Sequence, residues 1–140
     1  MINEFRGKYY FLSNFSSAKV QYEGFMFENN EAAFQAQKDL SQRSKFCNLP
    51  PNEAKRLGRR VNLRKDWEDV KDKIMYEIVF NKFSQNPELK KKLLATNGEE
   101  LVEGNTWNDQ YWGVCNGKGK NMLGKILMRV RAELRKERFS

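Results

Sequence analysis

Histidine is absent from this chain of 140 residues, and cysteine occurs only twice. Without histidine, the chain cannot use Ser-His-Asp or Cys-His catalysis, histidine-ligated zinc or acid–base chemistry on imidazole. Cys47 and Cys115 lie far apart and have no Cys-x-x-Cys partner, so we expect two reduced thiols rather than a zinc site or a disulfide framework. Catalysis must therefore rest on carboxylates, lysine, tyrosine or bound water.

Long apolar segments are also missing. No run approaches the length needed to cross a bilayer, and residues 1–6 lack the charged-then-apolar pattern of a secretory signal. We therefore expect a cytoplasmic protein with no membrane partner. A length of 140 residues suits one compact domain, so we predict a single domain over residues 1–140.

Positive charge is in clear excess, because 26 lysines and arginines stand against 18 aspartates and glutamates, a formal net charge of +8. This excess favours anionic partners such as phosphorylated metabolites, nucleotides or nucleic acid. Much of it lies at 90–92 and 129–138, where a solvated helix face is the commoner explanation for a charge run. Composition alone leaves the kind of anion open.

The residue pattern predicts short β-structure near the start of an otherwise α-rich, α+β chain. Residues 20–27 alternate loosely about a turn at 23–24, which is typical of a hairpin. A helix should then begin at Asn29 or Asn30, either of which can cap it, and run to about Leu40. The positions of this helix that we expect to face inward are Ala33, Ala36 and Leu40.

Four more helices follow from capping residues, prolines and apolar stripes. Together with the hairpin they predict a compact multihelical domain. The predicted bounds are Asn52 to about Gly58, Asp66 to just before Pro87, Pro87 to about Ala95, and Asn121 onward, with a short strand at Leu101-Val102. The core positions predicted for the last helix are Leu123, Ile126, Leu127, Val130 and Leu134.

Glu31, Gln35 and Lys38 are four and three residues apart, so on a helix they share one narrow polar stripe. A carboxyl, an amide and an ammonium on one rigid face are suited to gripping a sugar or phosphate and moving a proton. The alternative is an ordinary solvated face with a weak ion pair. The spacing alone does not separate the two.

A second chemical segment is the loop at 103–113, which concentrates an acid, two tryptophans and a tyrosine. Loops of this length and composition often line functional sites. The alternative is that Trp107, Tyr111 and Trp112 anchor the loop on the core while Asp109 bonds the backbone.

Six short blocks, in order along nearly the whole chain, resemble the YbiA-like, or NADAR, family. Each block is weak singly, but the ordered set is specific. The blocks are Leu12-Ser-Asn-Phe15, Phe27-x-Asn-x-Glu31-x-x-Phe-Gln35-Ala-x-Lys38, Arg64-x-Asp-Trp67, Lys82-Phe83, Asp109-x-x-Trp112-Gly113 and Asn121-x-Leu-Gly124-x-x-Leu-Met128-x-x-Arg131.

The resemblance implies an α-rich single domain and an N-glycosidase. One group of the family cleaves the C–N bond between a phosphoribosyl sugar and amino-pyrimidine intermediates of riboflavin synthesis, and another removes ADP-ribose from guanine bases. The partner implied is a phosphorylated ribosyl or ADP-ribosyl small molecule, or ADP-ribosylated nucleic acid. No cofactor and no metal are implied, and the oligomeric state is left open.

Matched by motif, the resemblance places functional acids at Glu31 and Asp109, with Trp67 as a third catalytic position. A carboxylate beside the ribose can stabilise developing positive charge, and a second can activate water. We expect Glu31 in the first role and Asp109 in the second, although the reverse assignment remains open. The substrate-binding residues implied are Asn14, Phe15, Gln35, Lys38, Arg64, Trp112 and Gly113.

Two further questions stay open at this level. Lys38 could pair with a substrate phosphate, or its amine could trap the opened ribose as a Schiff base if its pKa is lowered. Two other functions compete with catalysis: a non-catalytic module that binds ADP-ribose or a nucleotide, and a basic nucleic-acid-binding domain. Against the last, the sequence contains no recognised nucleic-acid motif.

Overall fold

The computed structural model describes residues 1–138. Over that range it contains five α-helices, two 3₁₀ helices and one two-stranded antiparallel sheet, which confirms the predicted α-rich, α+β class. The strands are β1 (Ser17–Tyr22) and β2 (Phe25–Asn29), and the α-helices are α1 (Asn30–Ala36), α2 (Pro51–Gly58), α3 (Trp67–Gln85), α4 (Pro87–Leu94) and α5 (Met122–Arg138). The 3₁₀ helices are Gly7–Leu12 and Leu40–Phe46.

The chain gathers into two compact units. Residues 14–86 form one unit, and residues 1–13 together with the described chain from 87 onward form the other. The single domain expected from chain length stays a prediction. None of the helices in the described range combines the length and hydrophobicity that a bilayer crossing requires.

The hairpin lies in the unit of residues 14–86 and agrees with the prediction. Val20 pairs with Phe27 and Tyr22 with Phe25. Both turn residues, at 23–24, have positive φ angles of 51° and 83°, which is the backbone of a tight type I′ turn. Alternate residues of β1 are buried, because this face packs against α3.

Amide side chains at the end of α3 satisfy the free edge of β1. Gln85 both donates to the carbonyl of Gln21 (2.9 Å) and accepts from its N–H (2.7 Å), and Asn81 donates to the same carbonyl (3.0 Å). Asn86 donates to the carbonyl of Lys19 (2.9 Å). An edge strand exposes unpaired backbone groups, and these contacts pair several of them.

Helix α1 begins as predicted but ends earlier. Asn29 is the N-cap, and its side chain accepts from the N–H of Ala32 (2.7 Å). The predicted end at about Leu40 is wrong, because Asp39 has extended backbone and caps the following 3₁₀ helix through Ser41. Leu40 is consequently 47% exposed rather than inward-facing, whereas the inward positions predicted for Ala33 and Ala36 are confirmed.

The start of α2 differs from the prediction, whereas α3 begins after Asp66 as predicted. Helix α2 begins at Pro51 with Pro50 as N-cap, so Asn52 is inside the helix; proline suits this first position because its missing N–H would be unpaired there anyway. Asp66 is the N-cap residue of α3, but its side chain makes no capping bond. Its carboxylate binds Arg64 instead.

The other unit is built around α5. The predicted core positions of this helix, Leu123, Ile126, Leu127, Val130 and Leu134, are all buried. The strand predicted at 101–102 is wrong as an extended element: only a single bridge forms, between Leu101 and Ile2. Asn121 ties this segment to the start of α5, since its side chain donates to the carbonyl of Leu101 (2.9 Å) and accepts from the N–H of Glu103 (2.9 Å).

Candidate active site

Glu31 is a buried carboxylate in the first turn of α1. The residue is 8% exposed, and its backbone N–H donates to the carbonyl of Asn14 (3.0 Å). Its Oε1 accepts a hydrogen bond from Nε2 of Gln35 (2.9 Å). The partial positive charge of a helix N-terminus favours a carboxylate here. Glu31 is therefore held in position by both its backbone and its side chain.

The polar stripe is not a solvated face. Gln35 is only 7% exposed, and every residue of α1 is buried. Lys38, just beyond the helix, is partly buried, with Nζ 5.8 Å from the centre of the Trp67 ring. The alternative of an ordinary surface face with a weak ion pair is wrong for Glu31 and Gln35.

The pKa of Lys38 lies below its ordinary value. Burial is the main cause, and the positive charges of Arg59, Lys55 and Lys71 lower the pKa further, while Glu31 opposes them. A cation beside other cations attracts an anionic group such as a phosphate. A lowered pKa also increases the fraction of neutral amine, the form that attacks a carbonyl.

Trp67 is the first residue of α3 and is 6% exposed. Its ring packs on Phe34 of α1, with ring centres 5.0 Å apart and planes inclined by 52°. Together with the Lys38 ammonium, this contact makes Trp67 part of the packing around the stripe. The tryptophan thus supports the helix that carries Glu31, and its catalytic role stays a prediction.

Arg64 connects the end of α1 with the start of α3. Its guanidinium donates two hydrogen bonds to Asp66 (2.6 and 3.0 Å) and one to the carbonyl of Gln37 (3.4 Å). Its backbone N–H donates to the carbonyl of Lys38 (2.9 Å). The hydrogen bonds to Asp66 raise the pKa of Arg64, so the guanidinium keeps its charge. These contacts fix the backbone of Lys38, and binding of substrate by Arg64 stays a prediction.

Asn14 and Phe15 are neighbours in the chain but have different surroundings. Asn14 is buried and contacts α1 twice: its carbonyl accepts from Glu31, and its Oδ1 lies 3.5 Å from Nδ2 of Asn30. Phe15 is half-buried, with Nζ of Lys55 5.9 Å from its ring centre. Phe15 lines an open cavity of about 440 Å³ together with Ser17, Glu28, Asn29, Asn48, Leu49, Pro50 and Pro51.

Asp109 belongs to the other unit and shapes its own loop. Its Oδ1 accepts from the backbone N–H groups of Tyr111 (3.1 Å) and Trp112 (2.9 Å). Asn105 holds the backbone of Asp109 on both sides, accepting from its N–H (3.0 Å) and donating to its carbonyl (2.9 Å). The expected backbone bonding of Asp109 is confirmed. Trp107 is 52% exposed, so the expectation that it anchors the loop is wrong.

Trp112 and Gly113 are held by packing around this loop. The rings of Trp112 and Tyr111 meet edge to face with centres 4.9 Å apart, and the Trp112 carbonyl accepts from the N–H of Leu123 (2.9 Å). A side chain at Gly113 would overlap the carbonyl oxygen of Glu103. The glycine therefore has a packing role, and substrate contacts by either residue stay predictions.

The predicted residues thus fall into two groups. One group surrounds α1 within a single unit and consists of Asn14, Glu31, Gln35, Lys38, Arg64 and Trp67. The other group lies in the loop of the second unit and consists of Asp109, Trp112 and Gly113. Phe15 lies on the α1-bearing unit but at the open cavity.

Sequence reasoning gave no site role to the buried polar residues Asn105 and Lys82, although Lys82 stands in the quoted Lys82-Phe83 block. Asn105, 8% exposed, carries the backbone of Asp109, and its position four residues before that acid is the signal that could have revealed it. Lys82 is 1% exposed, and its Nζ donates to Oγ of Ser16 (3.0 Å). Its place one helical turn after Ile78, on the buried stripe of α3, was visible in the sequence.

Comparison with known proteins shows which family the chain resembles. A family model described as the NADAR domain matches residues 3–135. An N-glycosidase YbiA of Shigella flexneri is 43% identical over 128 residues, which cover 87% of this chain and 79% of that protein. A riboflavin biosynthesis protein of Vibrio vulnificus is 38% identical over 130 residues, covering 89% of this chain and 35% of that protein.

A solved structure agrees with these matches. The NMR structure of the E. coli protein YbiA has a TM-score of 0.86 and 38% sequence identity, covering 100% of this chain and 90% of that one. The prediction that the chain is an enzyme of the N-glycosidase class is confirmed by these relatives. By family model, sequence identity and fold alike, the chain belongs to the NADAR domain family.

Proposed function

We propose that this protein hydrolyses the C–N bond of a phosphorylated N-riboside in which ribosyl phosphate is joined to an amino-pyrimidine. The observation that carries the proposal is the buried carboxylate of Glu31, fixed by the Gln35 amide at 2.9 Å. The riboflavin biosynthesis relative of Vibrio vulnificus supports an amino-pyrimidine as the leaving group.

Glu31 is assigned to the ribose. Cleavage of an N-glycosidic bond builds positive charge on the sugar, and a carboxylate stabilises that charge most strongly where water is scarce. The Gln35 hydrogen bond keeps the carboxylate in place before the substrate arrives. Such preorganisation avoids the cost of orienting the group during the reaction.

Asp109 is assigned to the attacking water. The turn formed with Tyr111 and Trp112 uses only its Oδ1. The Oδ2 atom takes no part in those two hydrogen bonds and is the oxygen proposed to accept a proton from water as the water oxygen bonds to the sugar carbon. The C–N bond breaks in the same reaction, and the Asp109 carboxyl then passes this proton to the leaving nitrogen. No metal or cofactor is required for this chemistry.

Lys38 is assigned to the substrate phosphate. The cations around Lys38, which lower its pKa beyond the larger effect of burial, form an environment that attracts a dianionic phosphate. In this assignment Lys38 acts by contact with the phosphate and forms no covalent bond to the substrate. The Schiff-base route is the competing assignment for the same residue.

The substrate can be identified by incubating the protein with ribosylamino-pyrimidinone phosphate and, separately, with DNA carrying ADP-ribosylated guanine. Mass spectrometry would follow release of ribose phosphate or ADP-ribose. We expect ribose phosphate from the first substrate. Release of ADP-ribose alone would move the protein to the guanine-directed group. Binding of ADP-ribose or of nucleic acid without any product would contradict hydrolysis and favour the non-catalytic alternatives.

A further inference from the structure

Gly58 is the last residue of α2, and its backbone does not require glycine. Its φ lies outside the left-handed region, so any L-amino acid could adopt the same conformation. Glycine is also a poorer helix former than alanine. The reason for glycine at this position must therefore be space.

The space beside Gly58 is occupied by the side chain of Gln35. A Cβ at position 58 would overlap Oε1 of Gln35 and would lie 2.8 Å from its Cδ and 3.2 Å from its Cβ. Contacts this short would force either the amide or the helix to move. The atom in closest contact, Oε1, has no hydrogen-bond partner within the described chain, and it occupies the space that a Cβ at position 58 would fill.

The opposite end of the same amide holds Glu31. Nε2 of Gln35 donates to Oε1 of Glu31 (2.9 Å), and both side chains lie on a helix that is buried throughout. An amide is planar and rigid, so displacing its oxygen from Gly58 also displaces its nitrogen from the carboxylate. Enclosure of α1 leaves little room for another conformation.

We infer that Gly58 is a positioning residue, whose missing side chain allows Gln35 to hold the Glu31 carboxylate. This inference rests on the proposed function, since it takes Glu31 to be the catalytic carboxylate. Helix α2 would then help to position the catalytic carboxylate through Gly58, although none of the polar-stripe residues Glu31, Gln35 and Lys38 belongs to α2.

The direct test is Gly58→Ala, with Gly98→Ala as the matched control. A Cβ at Gly98 would meet nothing within 4 Å, and its φ is also outside the left-handed region. We expect Gly58→Ala to lower kcat by about tenfold or more, the worth of one hydrogen bond to a charged group, with KM changed by much less. Gly98→Ala should retain wild-type kcat. Wild-type kcat in a folded Gly58→Ala variant would overturn the inference.

A double variant identifies Gln35 as the intermediary. Gln35→Ala should lower kcat, and adding Gly58→Ala to it should cause no further loss, because the overlapping amide is gone. Additive losses would contradict the inference. If Gly58→Ala alone does not fold, recovery of folding in the double variant would show that the overlap is with Gln35, and failure to recover would overturn it.

An NMR measurement separates this inference from the proposed function. The side-chain NH₂ of Gln35 should exchange slowly with solvent in the wild-type protein and in Gly98→Ala, and rapidly in Gly58→Ala. Equal protection in all three proteins would overturn the inference even if Glu31→Gln proves that Glu31 is catalytic. Lost protection in Gly58→Ala, in a protein that releases no ribose phosphate, would uphold the geometry and reject the proposed function.

Discussion

At the scale of single residues, the hydrogen bond from the Gln35 amide to the Glu31 carboxylate helps to explain how both side chains can be buried. A buried charge is costly unless hydrogen bonds compensate for it, and the Gln35 Nε2 supplies one such bond. Sequence spacing correctly predicted that the two side chains share one helix face. It could not predict that the face is buried, because burial depends on the approach of α2 at Gly58, more than twenty residues away in the chain.

Lys38 yields a prediction that distinguishes its two assigned roles. Lys38→Arg keeps a positive charge but removes the amine nucleophile, whereas Lys38→Met removes both. If Lys38 binds phosphate, Lys38→Arg should retain most of kcat/KM, and Lys38→Met should lose about 10- to 100-fold, the worth of a charge-assisted contact. Steady-state kinetics on the phosphorylated substrate would measure both variants.

A Schiff base would give the opposite pattern. Both variants would then be inactive, and sodium borohydride added during turnover would reduce the adduct to a stable secondary amine on Lys38. Such an adduct, seen by mass spectrometry of the intact protein, would contradict the phosphate assignment.

At the scale of elements, the hairpin, α3 and α5 were predictable because their signals are local. The turn at 23–24 and the apolar stripe on each long helix are formed by residues of the same element that they predict. The end of α1 was not predictable in this way. It depends on Asp39, whose carboxylate also accepts from the N–H of Asn62 (3.2 Å), and on Arg64, which binds the carbonyl of Lys38. These partners are distant in sequence.

The loop that carries Asp109 depends on one buried side chain, and this leads to a second prediction. Asn105→Ala removes the two hydrogen bonds that hold the backbone of Asp109. Loss of these bonds should lower the free energy of unfolding by about 1 to 3 kcal/mol and should lower kcat more than it changes KM, because Asp109 loses its fixed position. Denaturant unfolding and steady-state kinetics would measure the two effects.

The control for this variant is Gln110→Ala, at an exposed position of the same loop. It should change neither quantity appreciably. If Asn105→Ala proved as active as Gln110→Ala, the proposed role of a rigid Asp109 would be wrong.

At the scale of the whole molecule, the pH dependence of stability should report the burial of Lys82. Burial lowers the pKa of this lysine from 10.5 to about 7. Between those values the unfolded chain binds a proton that the folded protein has released, so raising the pH favours the folded state. The contribution of one such group is at most about 1.4 kcal/mol per pH unit. Lys38, whose pKa is also lowered, adds a smaller effect of the same sign.

Lys82→Met tests this expectation. The free energy of unfolding should rise less steeply from pH 7 to 9.5 in the variant than in the wild-type protein, and Lys19→Met, at an exposed position of β1, should keep the wild-type slope. The range stops at pH 9.5 because the raised pKa of Tyr22, buried and hydrogen-bonded to Glu77, has the opposite effect above about pH 10. If the free energy of unfolding rose equally steeply with pH in the wild-type protein and in Lys82→Met, the pKa of Lys82 would not be lowered by burial, and the expectation would be wrong.

The excess positive charge of the whole chain fits a phosphorylated substrate without requiring a polymer. Nucleic-acid binding through the basic surface would weaken steeply with salt, whereas hydrolysis of a small N-riboside should proceed with no polymer present. The distribution of charge was readable from the sequence, and the choice among anions was not, because that choice depends on side chains brought together only by folding.

The central claim is that the buried Glu31 carboxylate drives cleavage of an N-glycosidic bond, and Glu31→Gln tests it most directly. The substitution keeps the shape of the side chain and an oxygen that can accept from Gln35, but it removes the negative charge. We predict that release of ribose phosphate, followed by mass spectrometry, falls by about 100-fold or more, while circular dichroism and the thermal unfolding midpoint show a folded protein. Release at the wild-type rate from the folded variant would contradict the account.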